Sequence, residues 1–145
     1  MRRSYFLAAA AVAAIFGLTA CQQQPSSVTY KAHLTAKDEV PANTSTAVGD
    51  GTFIYDPTTK TLSWTVTYAG LTGPATLAHI HGPAAPGVNA GVQIPLGPNG
   101  NLPSPITGKA TLNDAQAADL AAGKYYANVH TNANKGGEIR GQLTK

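Results

Sequence analysis

The sequence predicts an all-β domain: a Greek-key-like antiparallel β-sandwich with one short connecting helix. Three observations carry that expectation. Short stretches alternate apolar and polar residues with a period of two; Gly, Pro, Asn and Asp separate them at close intervals; and one Ala-rich stretch with a capping signature interrupts the series. In Val28-Thr29-Tyr30-Lys31-Ala32-His33-Leu34, Tyr30, Ala32 and Leu34 share the buried face and His33 lies on the other. Residues 50–55 and 63–68 flank Asp56-Pro57-Thr58-Thr59-Lys60, a turn built around proline, and form a hairpin with Leu62, Trp64, Val66 and Tyr68 facing inward. Further strands are expected at 75–80, 91–96, 106–112, 124–131 and 138–143, with Gly/Pro-rich loops at 82–90 and 97–105. Asn113 is a good N-cap and Gln116 stands at N3 as in a capping box. Ala115, Ala117, Ala118, Leu120, Ala121 and Ala122 favour helix, and Gly123 ends it. This helix is expected to cross one end of the sandwich.

Ahead of this domain, Met1-Arg2-Arg3-Ser4 is positively charged and residues 5–18 are apolar, without charge or proline. The run is too short for a membrane span of roughly 20 residues and has the order of a secretory leader. Leu18-Thr19-Ala20-Cys21 resembles the lipobox of bacterial lipoproteins, and Cys21 is the only cysteine in the chain. The expected division is therefore a signal peptide at 1–20, a lipidated Cys21 with a polar tether through residue 27, and one domain over 28–145. Lipid on Cys21 would make the membrane a partner and place the domain in a bacterial envelope, outside the cytoplasm. In a host with two membranes, the lack of Asp after Cys21 favours the outer membrane, facing the periplasm.

The whole chain has ten Lys and Arg against seven Asp and Glu, but two of the ten are Arg2 and Arg3, so the mature part stands near +1. No basic stripe interleaved with aromatics remains, which excludes nucleic acid as a partner. Without a cysteine pair, hydrophobic packing or a bound metal must stabilise the domain.

Four histidines carry the candidate chemistry: His33, His79, His81 and His130. Residues two apart on a strand face the same way, so His79 and His81 present adjacent imidazoles. Tyr126, Asn128 and His130 share a face of another strand, and His130 could complete a three-histidine site. Imidazole suits copper, zinc, iron and nickel alike. The alternative is that the histidines are ordinary surface or hydrogen-bonding residues. Asp38 with Glu39 reads as a solvated turn.

The segments Asp38-Glu39-Val40-Pro41, Ala78-His79-Ile80-His81-Gly82-Pro83-Ala84, Ser104-Pro105 with Gly108, Leu120-Ala121-Ala122-Gly123, Asn128-Val129-His130-Thr131 and Gly136-Gly137-Glu138-Ile139-Arg140-Gly141-Gln142-Leu143 resemble the CHRD domain, named after chordin. The resemblance spans 28–143 and implies a β-sandwich; it implies no established reaction. A weaker similarity is to the copper half of copper-zinc superoxide dismutases, which place copper on a His-x-His strand and a later histidine, with a downstream arginine guiding the anion. His79, His81, His130, Gly136-Gly137 and Arg140 follow that order, with His33 as a fourth ligand candidate. The disulfide cysteines and the zinc-loop histidines and aspartate of those enzymes are missing.

The expected function is envelope-anchored binding of a transition metal, copper ahead of zinc, for storage, delivery or buffering, with a metal-handling or envelope protein as partner. Two alternatives stand beside it. One is a copper-dependent, superoxide-dismutase-like oxidoreductase with Arg140 steering the anion. The other is a protein- or glycan-interaction module in which the histidines are incidental and Glu138 and Arg140 form a cross-strand charge pair.

Overall fold

A computed structural model of the chain describes residues 26–145. The expected signal peptide, Cys21 and most of the tether lie outside the described residues. Eight strands and one helix form in the order β1 (Val28–Thr35), β2 (Val48–Asp56), β3 (Thr61–Ala69), β4 (Ala75–His81), β5 (Val92–Pro95), β6 (Ile106–Thr111), α1 (Asp114–Ala121), β7 (Tyr126–Thr131) and β8 (Ile139–Gln142). A 3-10 turn, Ala36–Asp38, follows β1. Among the described residues, no helix is long and apolar enough to cross a membrane.

The strands pair antiparallel in one sheet of order β5-β4-β7-β8-β1-β2-β3-β6. β1 to β3 form a meander. The chain then crosses to β4 and β5, returns to lay β6 beside β3, and crosses again through α1 to lay β7 beside β4 and β8 between β7 and β1. These are the Greek-key crossings expected of such a domain. The two layers are halves of one almost closed sheet, joined at β8 and β1, where the register holds a single pair, Thr35 opposite Arg140. Lys31 and Thr144 extend that seam through reciprocal N–H to carbonyl bonds of 2.7 and 2.8 Å. On the opposite side the 96–102 segment bridges the halves: Leu96 and Leu102 donate to the carbonyls of Ala78 and Ala75, and the Trp64 indole donates to the Leu96 carbonyl at 3.0 Å.

One apolar cluster fills the space between the halves. Leu34, Phe53, Leu62 and Val66 from one half meet Ile80, Ala127, Val129 and Ile139 from the other, all fully buried, with Leu120 of α1 and Leu143 closing an end. Period-two alternation places these residues inward. It is clear in β1, where Tyr30, Ala32 and Leu34 are buried and their neighbours are not. β7 departs from it, because all six of its residues are buried. One face of this central strand lies on the core; loops cover the other, and there the polar residues gather.

α1 begins as its sequence demands. Asn113 Oδ1 accepts from the Gln116 N–H at 2.9 Å, and the Gln116 side chain accepts from the Asn113 N–H at 3.0 Å. Gly123 just past its end has φ of 69°, a left-handed value that glycine takes without strain. Replacing Asn113 with alanine is expected to lower stability by about 1 kcal/mol, read from urea unfolding.

Candidate metal centre

The polar face of β7 and β4 assembles residue by residue through strand register. His79 lies opposite Asn128, and His81 opposite Tyr126; on the far side of β7, Asn128 faces Arg140 of β8. His130, opposite Leu77, is the diagonal neighbour of His79. One ring nitrogen from each of His79, His81 and His130 lies within 4.8 Å of the others. His79 Nδ1 and His130 Nε2 are 3.3 Å apart. Two nitrogens each about 2 Å from one ion at a tetrahedral angle stand about that far apart.

Hydrogen bonds on the outer side of the rings decide which nitrogens face inward. His81 Nδ1 donates to the Ala90 carbonyl at 3.0 Å, and His130 Nδ1 donates to the Lys135 carbonyl at 3.0 Å. Each bond puts the proton on Nδ1 and leaves a lone pair on Nε2. His81 Nε2 is buried and has no protein partner. A buried nitrogen lone pair without a donor is costly, and a cation shared with His79 Nδ1 and His130 Nε2 would satisfy it. The residues therefore fit a metal ion.

Their electrostatics agree. Burial, with the neighbouring histidines, pushes His79 down to about 4. Burial also lowers His81, with Arg140 acting in the same direction against the Ala90 carbonyl, and lowers His130 against the Lys135 carbonyl. All three rings are neutral at pH 7, the form that ligates metal.

A second layer surrounds the rings. The Tyr126 ring stacks on His81, 6° from parallel with centroids 5.0 Å apart. Tyr126 Oη accepts from the Ala90 N–H at 3.1 Å, so Ala90 is held by both aromatic residues. Arg140 covers the other face of Tyr126, its guanidinium carbon 3.4 Å from the ring centroid. Its nitrogens donate to Asn89 Oδ1 at 2.9 Å and the Val88 carbonyl at 2.6 Å. Asn128 donates to the buried Glu39 carboxyl, which burial pushes up to about 7 against the pull of Arg140 and Asn128. Gly137 seats against both: its φ is 133°, and a Cβ there would overlap the Asn128 amide.

Four expectations need correction. His33 does not join the other histidines. It points outward from β1, 65% exposed, with Nδ1 2.9 Å from Asp50; like the other three it faces away from the core, but its strand belongs to the other half of the sheet. Arg140 is 2% exposed and already engaged by Tyr126, Asn89 and Val88, so it does not face incoming solvent as an anion-steering group must. Glu138 and Arg140 do not pair. Glu138 is instead enclosed by Ser45, Thr72, Thr131 and Asn134. Glu39 is no solvated turn residue, being 7% exposed, although its neighbour Asp38 is exposed.

Sequence reasoning missed Tyr126 as a stacking partner and the Glu39–Asn128 contact. The shared face of Tyr126, Asn128 and His130 was the available signal; which loops cover that face depends on tertiary folding.

Fold and site together define an antiparallel all-β domain bearing three convergent imidazoles on the loop-covered face of its sheet. The CHRD domain family model matches residues 30–143, nearly the whole domain, and the chain belongs to that family. Searches among curated proteins and solved structures returned no significant match.

Proposed function

We propose that this domain binds one transition-metal ion, copper ahead of zinc, through His79 Nδ1, His81 Nε2 and His130 Nε2, and stores, delivers or buffers it in the cell envelope. The observation that supports this reading best is the convergence of three neutral imidazoles, two of them held in the ligating tautomer by backbone carbonyls. The chain's residues would bind and orient the ion; the loops carrying Ala90 and Lys135 fix the rings. Lipid on Cys21, expected from Leu18-Thr19-Ala20-Cys21, would tether the domain to a membrane. A copper-based oxidoreductase remains the weaker reading, since Arg140 is occupied elsewhere. The test is titration of the purified protein with copper and zinc: one ion per chain is expected, and binding that survives loss of both His79 and His130 overturns the proposal.

Acid is expected to weaken both fold and site. An imidazole with a depressed folded value contributes stability that is complete above its unfolded value of 6.5 and is lost as pH falls, here down to about 4 for His79. Glu39 acts in the opposite sense, because its raised carboxyl contributes most below 4.5 and loses that contribution as pH rises through about 7. Glu39 and His79 are shifted by similar amounts with opposite effect, so the lowered His81 and His130 set the net direction. The melting temperature should fall between pH 6.5 and 4, and fall more steeply in Glu39→Gln; a flat profile in the unmodified protein would contradict the burial of neutral rings.

A further inference from the structure

We infer that this centre prefers copper(I) over divalent copper or zinc, and that the Arg140 guanidinium stacked on Tyr126 is the positioning group that sets the preference. The inference rests on the metal-binding reading above and adds the charge state of the ion and the residue that selects it.

The charge inventory of the site carries the argument. Three neutral donors converge, and among the described residues no carboxylate or thiolate joins them. Many metal-binding imidazoles lean on a carboxylate through the remote nitrogen, which adds negative charge to the shell. Here the remote nitrogens of His81 and His130 lean on backbone carbonyls. The ion's charge is therefore not neutralised by its ligands or by these outer partners.

A fixed cation adds to this. Arg140, Tyr126 and His81 form a continuous stack, with 3.4 Å from guanidinium carbon to Tyr126 centroid and 5.0 Å from that centroid to the His81 ring. Arg140 is 2% exposed, so water screens it weakly, and its hydrogen-bond partners Asn89 and Val88 are uncharged acceptors. Repulsion between this cation and the metal scales with metal charge, so a dication is opposed twice as strongly as a monocation. The acid that pulls the other way, Glu39, is buried beside Asn128 and bears on Arg140.

Ligand softness does not decide the matter, because imidazole accepts divalent copper and zinc as well. Charge does. A d10 monocation also tolerates the three-coordination that these rings offer, whereas zinc ordinarily completes a fourth position.

The test compares ratios of affinities, since a merely structural defect lowers all of them together. The purified protein is titrated anaerobically with copper(I) against a chromogenic chelator, and separately with copper(II) and zinc(II). Arg140→Gln is expected to lower the copper(I)-to-copper(II) and copper(I)-to-zinc(II) ratios about tenfold each, while Arg140→Lys retains most of the preference. Titrated at pH 8, where Glu39 is ionised, Glu39→Gln removes the opposing charge and is expected to raise both ratios, and it decides the matter if Arg140→Gln does not fold. Unchanged ratios in a folded Arg140→Gln, or a fall in Glu39→Gln, overturn the inference and leave the three-histidine site standing. Failure of the unmodified protein to bind any of the three ions overturns both.

Discussion

Replacing His130 with alanine is expected to abolish stoichiometric metal binding, with a loss in affinity greater than about 100-fold. Loss of an outer-shell partner alone typically costs 10–100-fold, and His130 is itself a donor. It is also the ring that links the two strands of the site, because His79 and His81 both come from β4 while His130 alone comes from β7. Without it two nitrogens remain on one strand, a spacing common enough on protein surfaces to bind weakly. The fold should tolerate the change, since His130 faces the loop-covered side and not the apolar cluster. Equilibrium titration with copper and zinc gives the affinity, and circular dichroism of the same sample establishes that the sheet is intact. A folded His130→Ala protein that binds as tightly as the parent would refute the assignment.

The largest effect on stability is expected at Glu138. Its carboxylate is fully buried and accepts from Ser45 Oγ at 2.7 Å, from Thr72 through both N–H at 2.8 Å and Oγ at 2.7 Å, from Thr131 Oγ at 2.7 Å and from Asn134 Nδ2 at 3.1 Å. Burial alone would raise this carboxyl, but the bonds from Thr131, Ser45 and Thr72 outweigh it and hold the group at about 2. The carboxylate ties together the segments after the 3-10 turn, between β3 and β4, and between β7 and β8. Glu138→Ala would take this acceptor from donors in all three, the buried Thr131 hydroxyl among them. A loss of roughly 3–5 kcal/mol is expected from urea unfolding, in line with removal of one member of a buried charged network. Glu138→Gln keeps one acceptor oxygen and should lose less. A loss below about 1 kcal/mol in Glu138→Ala would mean that water replaces the carboxylate at no cost.

Much of this was legible in the chain itself, for reasons that differ by element. The hairpin of β2 and β3 was readable because Leu62, Trp64 and Val66 alternate with hydroxyl residues and a proline turn precedes them. The helix was readable because Asn113 and Gln116 are local, reciprocal partners. His79 and His81 were readable for the same reason: a spacing of two on a strand is a local geometric fact. His130 depends on which strands pair, and the register of β4 with β7 is what brings it beside His79. The fate of His33, Glu39, Arg140 and Glu138 was not legible. Each depends on which loop lies over which face, and periodicity within a strand says nothing about that. Glu39 illustrates the point, since a charged pair beside a proline has the local signature of an exposed turn, and only long-range packing against Asn128 buries it.

The double burial of β7 has an evolutionary consequence. Ala127 and Val129 answer to the core, while Tyr126, Asn128 and His130 answer to the covered polar face, in strict alternation. Selection can therefore revise one set without disturbing the other. Relatives that keep Ala127 and Val129 but change the intervening positions would retain this architecture with a different chemistry, or with none. Membership of the family alone then does not specify the polar face, and the even-numbered residues of this one strand become the place to look for functional divergence.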